Sequence, residues 1–280
     1  MFLLKSIFDL DVLLNKHRAD NKQIGFIATM GALHKGHTSL IERSKRENDT
    51  TVCSIFVNPR QFNDPKDLEK YPRPIETDIK MLNNSGCDIL FLPGVDDIYP
   101  AEYEEPRIEL DKLETILEGA MRPGHFKGVA LVVKRLLDCV KPNKAYFGQK
   151  DYQQTLVIKQ LVNQFKLPIE IIISEIVREN NGLAMSSRNI RLSKEDRENA
   201  GLIYKALVQL KENVKFMPLA NAILLAKENI LKHEETKLEY FVVADPLTLT
   251  PLQDISNNQP ALALVVVNYS GVRLLDNIYL

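Results

Sequence analysis

The stretch Gln23-Ile24-Gly25-Phe26-Ile27-Ala28-Thr29-Met30-Gly31-Ala32-Leu33-His34-Lys35-Gly36-His37 decides the fold. Residues 23–29 form the short apolar run of a buried strand, and 38–47 read as a helix. The glycine-bearing loop 30–37 joins them. A strand feeding a helix through such a loop is the opening unit of a parallel sheet. The same alternation repeats outward. Strand-like runs occupy 51–58 (TVCSIFVN), 88–92 (DILFL), 144–147 and 169–176, and helical periodicity occupies 74–86, 126–140 and 151–165. Pro74 stands where a first helical residue would, Gly86 ends that helix, and 59–73 is polar and irregular. The alternation predicts the α/β class, with a Rossmann-like, doubly wound parallel sheet joined by right-handed crossovers.

The tail reads differently. Two helices, about 194–213 and 218–233, precede strand-like runs at 238–244, 261–268 and 272–279. Ser193 with Asp196 resembles a capping box, Pro218 opens the second helix, and Asn268-Tyr269-Ser270-Gly271 reads as a hairpin turn. The expected organisation is a Rossmann-like domain over 1–175 and a smaller α+β domain over 176–280. Internal repeats and low-complexity segments are not evident.

With 36 basic and 37 acidic residues, the net charge is -1, which argues against a nucleic-acid footprint. The three cysteines, Cys53, Cys87 and Cys139, are widely spaced without a C-x-x-C pair, so neither a zinc site nor a disulfide framework is expected. The N-terminal run MFLLKSIFDLDVLL is interrupted by Lys5, Asp9 and Asp11. No run of about 18 apolar residues occurs, so a membrane segment is not expected. A cytoplasmic protein fits these features.

In an open parallel sheet, ligands meet the carboxyl ends of the strands, which is where loop 30–37 falls. The helix that follows presents N–H groups and a partial positive charge suited to phosphate. Gly31 and Gly36 allow close backbone approach. His34 and His37, three apart, share a face of the opening turn and can donate to a charged phosphorus transition state. An isolated histidine here would more simply cap a helix; the combination of strand, glycine, His-x-Gly-His and helix points to phosphate. The loop is not a Walker A sequence.

His-x-Gly-His resembles the ATP-binding loop of the nucleotidyltransferase superfamily. MGALHKGH (30–37), SIFVNPRQF (54–62), YPR (71–73), RPGHFKGV (122–129), FGQKDYQQ (147–154) and GLAMSSRN (182–189) together resemble the pantothenate synthetase family, in its order and spacing. The resemblance implies ATP-dependent condensation of pantoate with β-alanine, through a pantoyl adenylate, to pantothenate, AMP and pyrophosphate. It implies magnesium with the ATP, a cytoplasmic homodimer, and a smaller domain closing over the site as a lid.

Carried onto this chain, the resemblance assigns ATP contacts to Met30, Gly31, Ala32, Leu33, His34, Lys35, Gly36 and His37. A second set is Gly148, Gln149, Lys150 and Asp151, and a third is Val177 with Met185, Ser186, Ser187 and Arg188. His37 is the expected proton-donating group, His34 its companion, and Lys150 a compact phosphate-neutralising charge. Arg188 offers a fork of donors. Gln61 and Gln154 are expected to hold pantoate, because an amide donates to a carboxylate and accepts from a hydroxyl; Asn58 is a further neighbour. The metal ligands are unknown from sequence. Asp151 fits ribose or magnesium, and Asp78 reads as a water-mediated magnesium ligand or as part of a solvated helix face. Tyr71, Arg73 and His125 read equally as site, packing or surface residues. The family more often has Glu where this chain has Gln149, which puts an ionic role there in doubt.

Three rival readings remain at this stage. A different nucleotidyltransferase would share the first loop without FGQKDYQQ and NPRQF together. An aminoacyl-tRNA synthetase fragment echoes MSSR, but the charge balance counts against it. A nucleotide-sensing module would not need His34, His37, Lys150 and Arg188 at once.

Overall fold

A computed structural model of the chain describes residues 1–62, 68–255 and 259–280. The expected irregular stretch 59–73 therefore includes residues, 63–67, that lie outside the described ones. Contacts divide the chain into two compact units, Met1–Gly148 with Gln153–Ser174, and Gln149–Tyr152 with Glu175–Leu280.

The first unit is built on strands β1 (Phe2–Leu4), β2 (Ile24–Thr29), β3 (Thr50–Ile55), β4 (Ile89–Phe91), β5 (Lys144–Gly148) and β6 (Glu170–Ser174). Their order is β1-β4-β3-β2-β5-β6, and every pairing is parallel. Parallel strands need crossovers, and helices supply them: α1 (Ile7–Ala19), α2 (Lys35–Glu47), α3 (Ile75–Asn84), the short α4 (Val95–Ile98) and α5 (Leu117–Met121), then α6 (His125–Val140) and α7 (Tyr152–Gln164). The doubly wound parallel sheet read from the sequence is the observed one. From β2 the chain winds one way through β3 and β4, then returns to set β5 on the other side of β2. The topological switch point therefore lies between β2 and β5.

Burial explains the strands. β3 is buried along its whole length and β2 nearly so, as expected when helices cover both faces of a parallel sheet. Ile27, Leu40, Ile41, Cys53, Leu82 and Leu90 form one core cluster under α2 and α3. β1, α1 and the short helices α4 and α5 were hidden in the sequence. β1 has three residues and pairs with β4 at the sheet edge. α1 buries only Leu10 and Leu14, so its apolar stripe is thin. Its presence against α6 explains why α6 is buried almost all round, where the sequence predicted one apolar face.

In the second unit, β7 (Thr236–Ala244), β8 (Leu262–Tyr269) and β9 (Val272–Tyr279) form an antiparallel sheet. Ser270 and Gly271, both at positive φ, turn β8 into β9, as two-residue hairpins require. The helix expected over 194–213 is divided into α8 (Lys194–Asn199) and α9 (Leu202–Asn213). The break falls at Gly201, where a Cβ would lie 2.4 Å from the Asn181 carbonyl oxygen. Helix α10 (Leu219–Leu231) completes the layer. Leu207, Leu210, Ala226 and Ile230 pack with Val243, Val265 and Val267 of the sheet.

Candidate active site

The turn from β2 into α2 is held by side chains beneath it. Thr29 Oγ1 donates to the Ser54 carbonyl (2.7 Å) and accepts from Gly31 N (3.2 Å). Gly31 and Ala32 both have positive φ, at 81° and 50°, an unusual pairing that needs external support. Asp78 of α3 provides it: its carboxylate accepts from Ala32 N (2.9 Å) and Leu33 N (2.8 Å). Asp78 is 1% exposed, so the solvated-face reading is corrected. Both of its oxygens are engaged by the loop. Burial raises its carboxyl above the usual range, and the Leu33 and Ala32 N–H groups pull it back.

Helix α2 begins at Lys35, three residues before the sequence pattern suggested, because His34 is its N-cap. His34 Nδ1 accepts from Gly36 N (3.1 Å), and His37 Nδ1 accepts from His34 N (3.3 Å). This is a capping box made of two imidazoles. The ring centroids are 4.1 Å apart. Because each Nδ1 accepts, the proton of each neutral ring sits on Nε2. Capping and phosphate chemistry are thus not alternatives; the cap fixes which nitrogen donates.

Gln61 lies in the turn Pro59–Gln61, and its Nε2 is 3.0 Å from Met30 Sδ, so the structure brings it against the loop. Its amide orientation is dictated from behind. Tyr99 OH (3.0 Å) and Arg60 N (3.2 Å) donate to Asn58 Oδ1, which makes Asn58 Nδ2 a donor to Gln61 Oε1 (3.1 Å) and to Gly128 O (3.1 Å). Asn58 is fully buried and its amide is fully engaged. From this position it supports Gln61. His125 Nδ1 donates to the Gln61 carbonyl (2.9 Å) while its Nε2 accepts from Arg122 (3.0 Å). Gly128 lets α6 come close, since a Cβ there would sit 2.3 Å from the Arg60 carbonyl oxygen. Tyr71 is buried edge-on to Phe62, and Arg73 donates to the carbonyls of Leu68, Glu69 and Tyr71. Tyr71 is buried and Arg73 is exposed.

Beyond β5, Gln149–Asp151 form a single 3-10 turn. Lys150 Nζ lies 3.4 Å from the Asp151 carboxylate. In α7, Gln154 is half-buried, whereas Gln153 is buried and holds the 113–118 segment through Leu113 O, Ile116 O and Glu118 N.

In the second unit, Val177 O accepts from Met185 N (2.9 Å) and Glu179 N donates to Leu183 O (2.8 Å), closing a hairpin ahead of the third expected segment. Ser186 caps the 3-10 turn Ser187–Arg191, its Oγ accepting from Arg188 N (3.2 Å). Asn189, buried, donates to Glu179 and to Ala184 O, and Arg197 forks onto the same Glu179 carboxylate. Sequence reasoning missed Tyr99, Asp78 as an anchor, and Asn277 and Asp276, described below. They act across long sequence separations that leave no local signature. Among the described residues no group of three or more His, Cys, Asp or Glu is placed to hold a metal ion. Nor is any helix among them long and apolar enough to cross a membrane.

A histidine-capped helix at the switch point of an open parallel sheet defines an α/β protein of the ligand-at-the-strand-ends class. Comparison with known proteins narrows the class. The family model for pantoate-beta-alanine ligase matches residues 3–279, and the chain belongs to that family of enzymes. It is 44% identical over 280 residues to the pantothenate synthetase of Cytophaga hutchinsonii, covering 99% of each chain. The crystal structure of pantothenate synthetase from Thermus thermophilus superposes with a TM-score of 0.92 at 40% identity, covering 99% of each chain. The Francisella tularensis pantoate-beta-alanine ligase, solved with beta-gamma ATP and beta-alanine, matches with a TM-score of 0.80 at 38% identity, covering 99% of this chain and 97% of that one.

Proposed function

We propose that the chain joins pantoate to β-alanine in two steps, through pantoyl adenylate. The observation that carries this reading is the reciprocal His34–His37 cap at the N-terminus of α2, with Gln61 placed against the same loop. In the first step a pantoate carboxylate oxygen attacks the α-phosphorus of ATP, and the bond to the departing pyrophosphate breaks. No protein nucleophile is needed, because the substrate supplies one. The protein supplies placement and charge neutralisation. His37 and His34 donate from Nε2 as negative charge grows on the phosphates. Lys150 and Arg188 add positive charge, one compact and one forked. Gln61 donates from Nε2 to the acid, an orientation that Asn58 sets, and Gln154 is its partner in holding pantoate.

In the second step the neutral amine of β-alanine attacks the acyl carbon, the C–O bond to AMP breaks, and a proton is lost from nitrogen. Magnesium enters with ATP as part of the substrate. When bound, it would neutralise charge on the phosphates beside Lys150 and Arg188. Met30–Gly31 and Lys35–Gly36, Gly148 to Asp151, Val177, and Met185 to Ser187 complete the ATP contacts. The Ala32 and Leu33 N–H groups are already taken by Asp78, so those two residues contribute by shaping the loop. Residues 1–175 carry ATP and pantoate, 176–280 act as the lid, and the working form is a cytoplasmic homodimer, as the resemblance implies.

The test is pyrophosphate and AMP release from MgATP with pantoate, with and without β-alanine, in the wild type and in His37→Ala. Pyrophosphate release that needs pantoate but not β-alanine, AMP accumulation that needs both, and about a hundredfold loss of the first step in the variant, beside a stability loss of only about 1 kcal/mol for the missing cap bond, are expected. AMP formation indifferent to pantoate would contradict the reading. So would an equal loss of melting and activity, which would return His37 to a capping role alone.

A further inference from the structure

Lys150 sits on a turn with little to hold it. A single 3-10 turn has poor internal hydrogen bonds, and none of Gln149, Lys150 and Asp151 is buried. The anchors come from the end of the chain, within the second unit. Asn277 of β9 is 2% exposed. Its Nδ2 donates to the carbonyls of both Gln149 (3.0 Å) and Lys150 (2.9 Å), and its Oδ1 accepts from Gln149 Nε2 (3.0 Å). Every polar atom of that amide is used. The adjacent Tyr152 OH is tied to Pro246 O (3.0 Å) and Tyr279 OH (2.9 Å).

The residue before Asn277 does the same for a different segment. Asp276 is buried and accepts from both terminal guanidinium nitrogens of Arg178 (2.6 and 2.9 Å). Arg178 also donates to Gly182 O (3.0 Å) and lies 3.7 Å over the Tyr204 ring. It belongs to the hairpin that leads into Met185–Arg188. Asp276 and Asn277 are further linked, since Asn277 N donates to Asp276 Oδ1 (2.7 Å).

We propose that the Asp276–Asn277 pair of β9 is a positioning device for nucleotide binding, with Asn277 setting Lys150 through the Gln149–Lys150 backbone and Asp276 setting the hairpin that delivers Arg188. The proposal rests on the reading that Lys150 and Arg188 meet the ATP phosphates. It also gives Gln149 a role. Asn277 Nδ2 is committed to two carbonyls, so its Oδ1 needs a donor opposite, which Gln provides and an ionised Glu does not. The uncharged residue at 149 is the complement of Asn277.

The experiment uses the full-length enzyme in the pantoate-dependent release of pyrophosphate, with KM for ATP and kcat determined separately. Gln149→Glu, Asn277→Asp and Lys150→Ala are compared with the wild type, with melting temperatures recorded. Gln149→Glu, which loses the one hydrogen bond to Asn277 Oδ1, is expected to raise KM for ATP by about tenfold, and Asn277→Asp, which loses both bonds from Nδ2, by at least as much, with KM for β-alanine in the complete reaction unchanged. Gln149 is only partly buried, so its variant remains informative if Asn277→Asp does not fold. A purely structural role would lower the active fraction, so kcat alone would fall in both variants; that result overturns the proposal. Normal KM for ATP in both, beside a defective Lys150→Ala, also overturns it and leaves the Lys150 reading standing. Wild-type kinetics in Lys150→Ala would sink that reading and this proposal together.

Discussion

At the residue scale, the site depends on side chains that fix other groups. Asp78 is the clearest case, a buried carboxylate whose two oxygens hold the N–H groups of a loop with two successive positive-φ residues. Replacing it with Asn leaves one acceptor and sets an NH2 against the remaining N–H. A loss of about 1–3 kcal/mol is expected from that unsatisfied donor, together with weaker ATP binding, measurable by denaturant melts and by KM. The pH dependence has a definite sign. Burial raises the folded carboxyl above its unfolded value, so the native state holds this proton more tightly. The stability that rests on this carboxyl therefore falls as pH rises from the unfolded carboxylate pKa through the folded one, and Asn, which does not titrate, removes that slope. Melting both proteins across the acid range checks this; an advantage of Asp over Asn that grows with pH would contradict it. None of this was legible in the sequence, where Asp78 read as a water-mediated magnesium ligand or as part of a solvated helix face. Its partners lie 45 and 46 positions away, and no local pattern reports such a contact. His34 and His37 were singled out by the strand, glycine and helix signals around them, whereas Gln61, Lys150 and Arg188 were singled out by the family resemblance of their motifs.

At the element scale, the strands were readable because sheets covered on both faces turn into continuous apolar runs. β1 and α1 were not, since three edge residues and a helix with two buried leucines carry almost no periodic signal. The boundaries that moved did so for local reasons. His34 captured the start of α2, and the close pass of Asn181 at Gly201 broke the helix expected over 194–213. The contact between α6 and the Pro59–Gln61 turn matters more for function. Gly128→Ala would press a methyl group into the Arg60 carbonyl. An overpacking cost of about 1–3 kcal/mol is expected, with KM for pantoate raised more than KM for ATP because the displaced turn carries Gln61. Substrate titrations distinguish this from general destabilisation, and an equal effect on both KM values would count against Gln61 as a pantoate residue.

At the scale of the whole molecule, the chain divides its work between two cores. The parallel sheet supplies the histidine-capped helix and the Gln61 turn, while β9 of the second unit secures the Gln149–Lys150 turn and the 177–185 hairpin. The sequence disclosed this α/β plus α+β arrangement, because the change from alternating strands and helices to a helix pair and a hairpin is abrupt. The grouping of Gln149–Tyr152 with the second unit was not disclosed, because it depends on contacts made by the last strand. The measurement that tests the account most directly is oxygen transfer. With both carboxylate oxygens of pantoate labelled with oxygen-18, complete turnover with MgATP and β-alanine should leave one label in AMP and one in the amide carbonyl of the product. Unlabelled AMP would show that the carboxylate never attacked the α-phosphorus, and the adenylate account would be wrong.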